Sequence, residues 1–471
     1  MTVEFGVKIK NKIKIKNKIE KIKKLFLFQN KKFDLFLVGG AVRDIVLNSE
    51  PDDLDFATNA TPQEMIDFNL TSDFKSVIKT GFDFGTVSFL DTEGELFEIT
   101  TFRSDINQDG RHTKINFKTN IIDDLSRRDI TINAMAINCF TLELVDTFNG
   151  KNDIKNKVIK SVGNPVQRFN EDFLRMLRVL RFAVRFDFKI EKQTLIALKN
   201  PELQSKLMSI ISRERFHKEF IKIMKLKNGN NKFADFIILL KEVDLLKHIF
   251  PELHSCIGLT QNKFHNEDVF DHTISVIRNL QIDNNPILTM SALLHDIGKT
   301  VTKTEINGKV QFIGHELKSA DIAENILKCF KFSNSDIKVI TTLIKNHMKF
   351  KQFGDDMNIS KKALRKIIKN KENMSFDLLK ELVNADNISH KAEFIMPNQM
   401  RILQEKINNE EKLFGTTIKN TSFINGNEIM KAFNVKSGIE VGKIKKKLDE
   451  LHLEFIELSK EELINILKNN F

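Results

Sequence analysis

The run LFLVGGAVRD (35–44), followed shortly by PDDLDFATNATP (51–62), decides how this chain begins to fold. LFLV is an apolar run of strand length, and Gly39-Gly40 lets the backbone turn tightly into a helix. Glycine amides at the mouth of a helix make a cradle for phosphate oxygens, and Arg43 adds a fork of donors. Asp53 and Asp55 flank Leu54, so on a strand both carboxylates point to one face. Two carboxylates facing a phosphate cradle suit Mg²⁺ held against a nucleoside triphosphate. Either feature alone reads as well as a glycine turn or a pair of solvated acids. Their joint spacing carries the argument.

Working outward, residues 33–150 alternate short β-like runs (LFLV, GTVSFL, LFEITTF, MAINCF, LELVDTF) with polar turns and helical stretches. That pattern reads as an α+β head. From about 165 the periodicity is helical to the end, punctuated by Pro165, Pro201, Pro251 and Pro286, with Pro251 and Gly258 marking a boundary. A chain of 471 residues suits about three domains, each able to bury a core.

The formal charge of +11 favours a polyanionic partner, of which nucleic acid is the economical choice. Much of the excess sits in residues 1–30, where nine lysines face only Glu4 and Glu20; a solvated helix face explains this as readily as an RNA contact. This stretch has no continuous apolar core and no small-residue cleavage site, which argues against a secretory signal. No run approaches the roughly 20 apolar residues of a membrane span. Cys139, Cys256 and Cys329 lack disulfide or metal spacing and suit a reducing cytoplasm. There are 40 Phe, no Tyr and no Trp. AT-rich coding accounts for scarce Trp but not for absent Tyr, whose codons are equally AT-rich; replacement of Tyr by Phe would. Bases must then stack on Phe, His or Arg planes.

After GGAVRD and PDDLDFATNATP come FEITTFRSD (97–105), DLSRRDITINAMA (124–136), DTFNGKNDIKNK (146–157) and EDFLRMLRVLRF (171–182). In this order the segments resemble the motifs of the class II nucleotidyltransferases, the CCA-adding tRNA enzymes and bacterial poly(A) polymerases. The resemblance implies template-independent transfer from CTP and ATP to the 3′ end of tRNA, with Mg²⁺ in the head. It implies a small mixed-sheet head (33–164) after a basic N-terminal helix (1–32). A helical neck with a nucleotide-selecting helix and RNA-binding region (165–255) would follow, then an HD domain (256–400) and a helical tRNA-binding tail (401–471). The oligomeric state is not indicated.

In nucleotidyl transfer an RNA 3′-hydroxyl attacks the α-phosphorus, and two metals stabilise the attacking and departing oxygens. Asp53 and Asp55 are the expected ligands, with Glu98 on FEITTF as the third carboxylate. Gly39, Gly40 and Arg43 are expected to meet the nucleotide, as are Arg128 and Asp129, which are expected to open a helix. Segment 103–117 resembles the flexible loop of enzymes that complete all three additions. On a helix expected over 171–184, Asp172 and Arg175 stand at i, i+3. Asp172 can accept from the exocyclic amine of cytosine or adenine while Arg175 donates to the ring nitrogen; uracil and guanine invert both contacts. Arg178 and Arg181 continue the face toward the triphosphate. In SRERFHKEF (212–220), Glu214 and Arg215 are expected to brace the neck.

A second constellation lies in HNEDVFDHT (265–273), LLHDIGK (293–299) and LVNADN (382–387), with His272, His295-Asp296 and Asp386 in the order H…HD…D. This resembles HD-domain metal-dependent phosphohydrolases. Imidazole and carboxylate on successive helices suit Ni²⁺, Co²⁺ or Mn²⁺, and His315 and His347 match histidines that support a second metal in some members. In the tail, Lys443, Lys445, Lys446 and Lys447 suit phosphate contact. The readings left standing beside CCA addition are a poly(A) polymerase, a phosphohydrolase with a vestigial head, and an RNA-binding scaffold.

Overall fold

The structure, a computed structural model, describes residues 13–79, 81–106, 114–117, 120–419 and 424–469. The chain forms two compact units. One runs to Leu226 and includes Asp235–Phe250; the other comprises Lys227–Ala234 and the residues from Pro251 onward.

The first unit is built on strands β1 (Leu35–Val38), β2 (Asp55–Thr58), β3 (Phe74–Ile78), β4 (Thr86–Asp91), β5 (Leu96–Thr101), β6 (Arg103–Ile106), β7 (Lys114–Phe117), β8 (Ala136–Asn138) and β9 (Leu144–Val145). Seven of them make one sheet in the order β3-β4-β5-β2-β1-β8-β9. All its pairs are antiparallel except β2 with β5, so the sheet is mixed. β6 and β7 form a separate hairpin. The centre of the expected nucleotidyltransferase loop, 107–113, lies outside the described residues.

Alternation along the strands divides two cores. Leu35, Leu37, Phe56, Phe89, Phe97 and Ile99 face one side; Phe36, Val38, Ala57 and Phe102 face the other. Helix α1 (Ile13–Leu27) seals the first side, burying Ile15, Ile19, Ile22, Leu25 and Phe26 at helical spacing. Its lysines therefore do not make it a solvated appendage. Lys21 meets the wholly buried Asp91 at 2.7 Å, and Lys18 pairs with Glu95.

The helical remainder departs from expectation in two places. Val158–Ile159 pairs in parallel with Lys189–Ile190, and Thr304–Ile306 forms a hairpin with Lys309–Gln311, so the neck and the second unit are not all-helical. Asn307 and Gly308 (φ 52° and 71°) supply the left-handed conformations such a two-residue turn needs. The helix expected over 171–184 is also broken. One helix runs Pro165–Glu171 and the next Leu174–Phe186, with Asp172 extended between them (φ −151°, ψ 105°). The Asp172 carboxylate accepts from the Leu174 amide at 3.0 Å, the local side-chain bond by which Asp competes with helix.

In the second unit, helices Val269–Asn279, Pro286–Leu294, His315–Cys329, Asn334–Asn346 and Phe376–Ile388 pack together. Farther on, Gln399–Lys419 is tied by Glu410 to the buried Arg365 at 2.5 Å, which also donates to the Leu453 carbonyl. A small core of Ile424, Ile429, Ile444, Leu448, Leu463 and Leu467 closes the chain.

Candidate active site and metal centre

Asp55 opens β2 opposite Val38, one residue before Gly39. Phe56 pairs with Ile99, so Asp55 and Glu98 sit side by side on neighbouring strands, on the face opposite those two core residues. With Asp53, Asp52, Glu95 and Lys18 they line a cavity of about 310 Å³. Asp55 is exposed as a residue, but its carboxyl is partly desolvated in the cleft and its pKa is raised; Asp53 adds to the rise and Arg128 opposes it. Several carboxylates converging with few cations to balance them have the donor chemistry of a hard divalent metal site.

Gly39 is held at φ 70°, and a Cβ there would stand 2.7 Å from Arg128 Nη1. Glycine is thus required both by the turn and by the guanidinium lying against it. Arg128 Nη2 is anchored on Asp124 at 3.0 Å. Arg128 and Asp129 do not open a helix; they follow helix Ile121–Ser126 and precede the short turn Thr131–Asn133.

Arg43 departs from the sequence reading. Its guanidinium is buried, binds Asp44 through Nε and Nη2 at 2.8 and 2.9 Å, and donates to Asn133 at 2.7 Å. Its other side lies against the Phe182 and Phe186 rings, 5.4 and 5.0 Å from their centroids. The fork expected to meet phosphate is spent on protein. Gly39 likewise gives its amide to the Met135 carbonyl (3.4 Å), while Gly40 begins the seven-residue helix Gly40–Val46.

The remaining expected nucleotide contacts are also paired. Asp129 accepts from Arg178 at 2.8 Å; burial opposes its charge, but Arg178 and Asn133 hold its pKa at about 2. Arg181 pairs with the buried Glu219 at 2.5 Å. Arg175 and Asp172 do not pair with each other. Arg175 binds Glu171 at 2.6 Å and the Arg127 carbonyl at 2.8 Å, while Asp172 binds Arg215 at 2.7 Å. Glu171 and Glu219 were not singled out from sequence, although each stands within a motif that was.

In the second unit, His272, His295, Asp296, His315, His347 and Asp386 are all buried. They form three overlapping sets of ligand atoms, each set lying within 4.8 Å: His272, His295 and Asp296; His295, His347 and Asp386; Asp296, His315 and His347. His315 and His347 present Nε2 atoms 3.2 and 3.7 Å from Asp296 Oδ1, and His295 Nε2 is 3.2 Å from Oδ2. His295 Nε2 is buried without a hydrogen bond among the described residues. Burial pushes His272 down to about 4 and His347 to about 3. Despite burial, Lys351 and His272 hold Asp386 well below the usual carboxylate range, and His295 and Lys299 do the same for Asp296. Against burial, Asp296 raises the pKa of His295, which must give up a proton to bind a metal. Neutral His272 and His347 beside ionised Asp296 and Asp386 are already in metal-binding form, so the residues fit one. The cluster opens onto a cavity of about 980 Å³ that also exposes Lys299, Lys351, His265 and His390.

Residues 35–160 match the profile described as Poly A polymerase head domain, 187–257 the probable RNA and SrmB-binding site of polymerase A, and 269–391 the HD domain. A curated CCA-adding enzyme of Ligilactobacillus salivarius is 31% identical over 402 residues, covering 80% of this chain and 94% of the relative. The chain belongs to the CCA-adding enzyme family. A second CCA-adding enzyme, from Enterococcus faecalis, is 42% identical over 207 residues, 44% of this chain and 48% of that relative. Among solved structures, the Bacillus stearothermophilus CCA-adding enzyme in complex with CTP superposes with a TM-score of 0.66 at 20% identity, covering 97% of this chain and 96% of that one. The Thermotoga maritima CCA-adding enzyme complexed with tRNA gives 0.53 at 21% identity, covering 98% and 96%. These two likenesses are of fold.

Within this CCA-adding enzyme family member, the sequence motifs pointed to ligands more readily than to the cations around them. Lys18 lies far from the head motifs in sequence, and Lys351 and His390 sit outside every quoted motif. Lys299 and His265 stand inside two of those motifs, LLHDIGK and HNEDVFDHT, but outside the H…HD…D pattern that marks the ligands. No helix among the described residues is long and apolar enough to cross a membrane.

Proposed function

We propose that this chain adds C, C and A to the 3′ end of tRNA, from CTP and ATP and without a nucleic-acid template. The observation that carries the reading is the convergence of Asp53, Asp55 and Glu98 on one wall, beside Gly39 and Arg128. All-oxygen donors favour Mg²⁺, which when bound would supply Lewis-acid stabilisation of the attacking and leaving oxygens. Asp53, Asp55 and Glu98 would hold that charge in place. Arg128, fixed by Asp124, offers its guanidinium to the triphosphate. Asp172 and Arg175 read the base, each steadied by a partner of opposite charge; the Asp172 oxygens each keep a lone pair for an exocyclic amine. Arg43 and Arg181, both buried and ion-paired, brace the pocket rather than touch the nucleotide, while Arg178, half-exposed beside Asp129, can still meet the triphosphate. On the helix Ile439–Glu454, Ile444 and Leu448 face inward and Lys443, Lys446 and Lys447 are exposed, which supports a phosphate contact with tRNA. Three free cysteines accord with a cytoplasmic enzyme.

The test is to incubate the protein and Mg²⁺ with tRNA lacking its 3′ CCA, give each nucleoside triphosphate separately and then CTP with ATP, and sequence the products. Addition should stop after CCA. Runs of A without C would make the protein a poly(A) polymerase, and no extension would leave the head vestigial.

The buried His/Asp cluster supports a second activity, metal-dependent hydrolysis of phosphate esters in the HD domain. Imidazole ligands favour Ni²⁺, Co²⁺ or Mn²⁺ over Mg²⁺. Lys299 and Lys351 lie at the cavity wall, where a phosphate would sit.

A further inference from the structure

Three of the four histidines nearest Asp296 have their second ring nitrogen tied down. Nδ1 of His295, His315 and His347 donates to the carbonyl of Ala292, Phe312 and Ile344 at 2.8, 2.7 and 2.7 Å. Such a bond fixes the ring's orientation and leaves Nε2 as the nitrogen that would bind a metal.

His272 breaks this pattern. It is 1% exposed, its Nε2 stands 3.1 Å from Asp386 Oδ1, and its buried Nδ1 has no partner among the described residues. Its own helix cannot provide one as the other three do. The carbonyl three residues back, Val269 O, already takes the Thr273 hydroxyl at 2.8 Å as well as the helical amide. The ring next to His272 is that of His265, with centroids 4.4 Å apart and planes at 72°. Nδ1 of His265 is likewise buried and without a partner among the described residues. The His265 ring is in turn backed by His390 at 4.6 Å, whose Nδ1 donates to Asn387 O and whose Nε2 accepts from Lys351 at 3.0 Å. His390 is therefore committed, and His265 is left facing His272.

We infer that His265 is the positioning residue for His272. With metal on Nε2 of His272, Nδ1 carries the proton, and a ring nitrogen of His265 accepts it, after a small turn of the ring or through one water. The inference rests on the reading of this cluster as a metal centre.

The test uses the full chain, stripped with EDTA and titrated with Co²⁺, reading bound metal by equilibrium dialysis and the d–d absorption. His265→Phe keeps an aromatic plate without an acceptor, and His265→Gln restores an acceptor. The Phe variant should bind Co²⁺ about 10- to 100-fold more weakly, and the Gln variant should return to within about threefold of the parent. Thermal melts matching the parent exclude misfolding. Should the Phe variant not fold, long-range ¹H–¹⁵N spectra of the parent and the Gln variant loaded with Zn²⁺ decide: the His272 Nδ1–H resonance must shift between them, and one that does not move overturns the assignment. A Phe variant that binds as the parent does, a Gln variant as weak as Phe, or a metal-bound Nδ1 on His272 overturns the assignment. If His295→Ala with Asp296→Ala leaves Co²⁺ binding unchanged, the metal centre itself is refuted, whatever His265 does.

Discussion

A carboxylate at the head of β2 and a guanidinium behind it show how residues of the same motif class take different work. Asp55 and Asp53 line an open cleft, whereas Asp129 is buried against Arg178. Asp53→Ala or Asp55→Ala should abolish addition of both C and A, because losing a metal ligand costs several kcal/mol of transition-state stabilisation. tRNA affinity should stay within a few-fold; single-turnover addition and filter binding measure the two. Asp129→Asn should instead act through stability. It removes the counter-charge of the half-buried Arg178, at a cost of about 2 kcal/mol in denaturant unfolding. The sign with pH follows from the depressed carboxyl, with a folded-state pKa of about 2. The stabilisation is complete above about pH 4, the unfolded value, and is lost as pH falls toward about 2, a contribution of about 2 kcal/mol. An acid titration of parent and Asn variant should show their stabilities converging across that window.

At the scale of elements, the break between Pro165–Glu171 and Leu174–Phe186 matters most. Periodicity reads straight through it, because EDFLRMLRVLRF keeps helical spacing on both sides. Asp172 interrupts it by capping its neighbour, which sends its carboxylate toward Arg215 and leaves Arg175 to Glu171. The two proposed reading groups are thus set by different partners rather than by each other. Exchanging them, Asp172→Arg with Arg175→Asp, should lower use of CTP and ATP and raise use of UTP and GTP. The change should be at least several-fold, since each mispaired buried polar group costs about 1–3 kcal/mol. Misincorporation assays with each nucleotide decide it; a double variant that excludes UTP and GTP as well as the parent does would place base reading elsewhere.

For the whole molecule, the proposed function gives the chain two chemistries with opposite metal preference. The head's candidate ligands are carboxylates, and those of the HD cluster are mainly imidazoles. Mg²⁺ alone should therefore support nucleotide addition better than hydrolysis, while Ni²⁺, Co²⁺ or Mn²⁺ should release phosphate from a phosphomonoester or open a 2′,3′-cyclic phosphate. His295→Ala with Asp296→Ala should remove that hydrolysis and spare most addition. Parallel loss of both in a folded double variant would join what is here separated, and absence of hydrolysis with every metal would leave the HD domain a scaffold.

The sequence by itself determined the α+β head, the order of motifs and which carboxylates and imidazoles are candidate ligands. Those features rest on local spacing: LFLVGG turns wherever it is placed, and Asp53-Leu54-Asp55 is one period of a strand. It did not determine which charges stay free. Arg43, in the same motif as Gly39, was read as a phosphate contact, yet Phe182 and Phe186, remote in sequence, cover it while Asp44 neutralises it. Lys18, His265, His390 and Lys351 join the sites only because packing brings their elements there. The strand pair at 158–190 was equally hidden, being two residues long on each side and held by register rather than by periodicity. Periodicity reports which face of an element is apolar. Pairing of charges depends on what the fold brings within a few ångströms, and that only the tertiary structure decides.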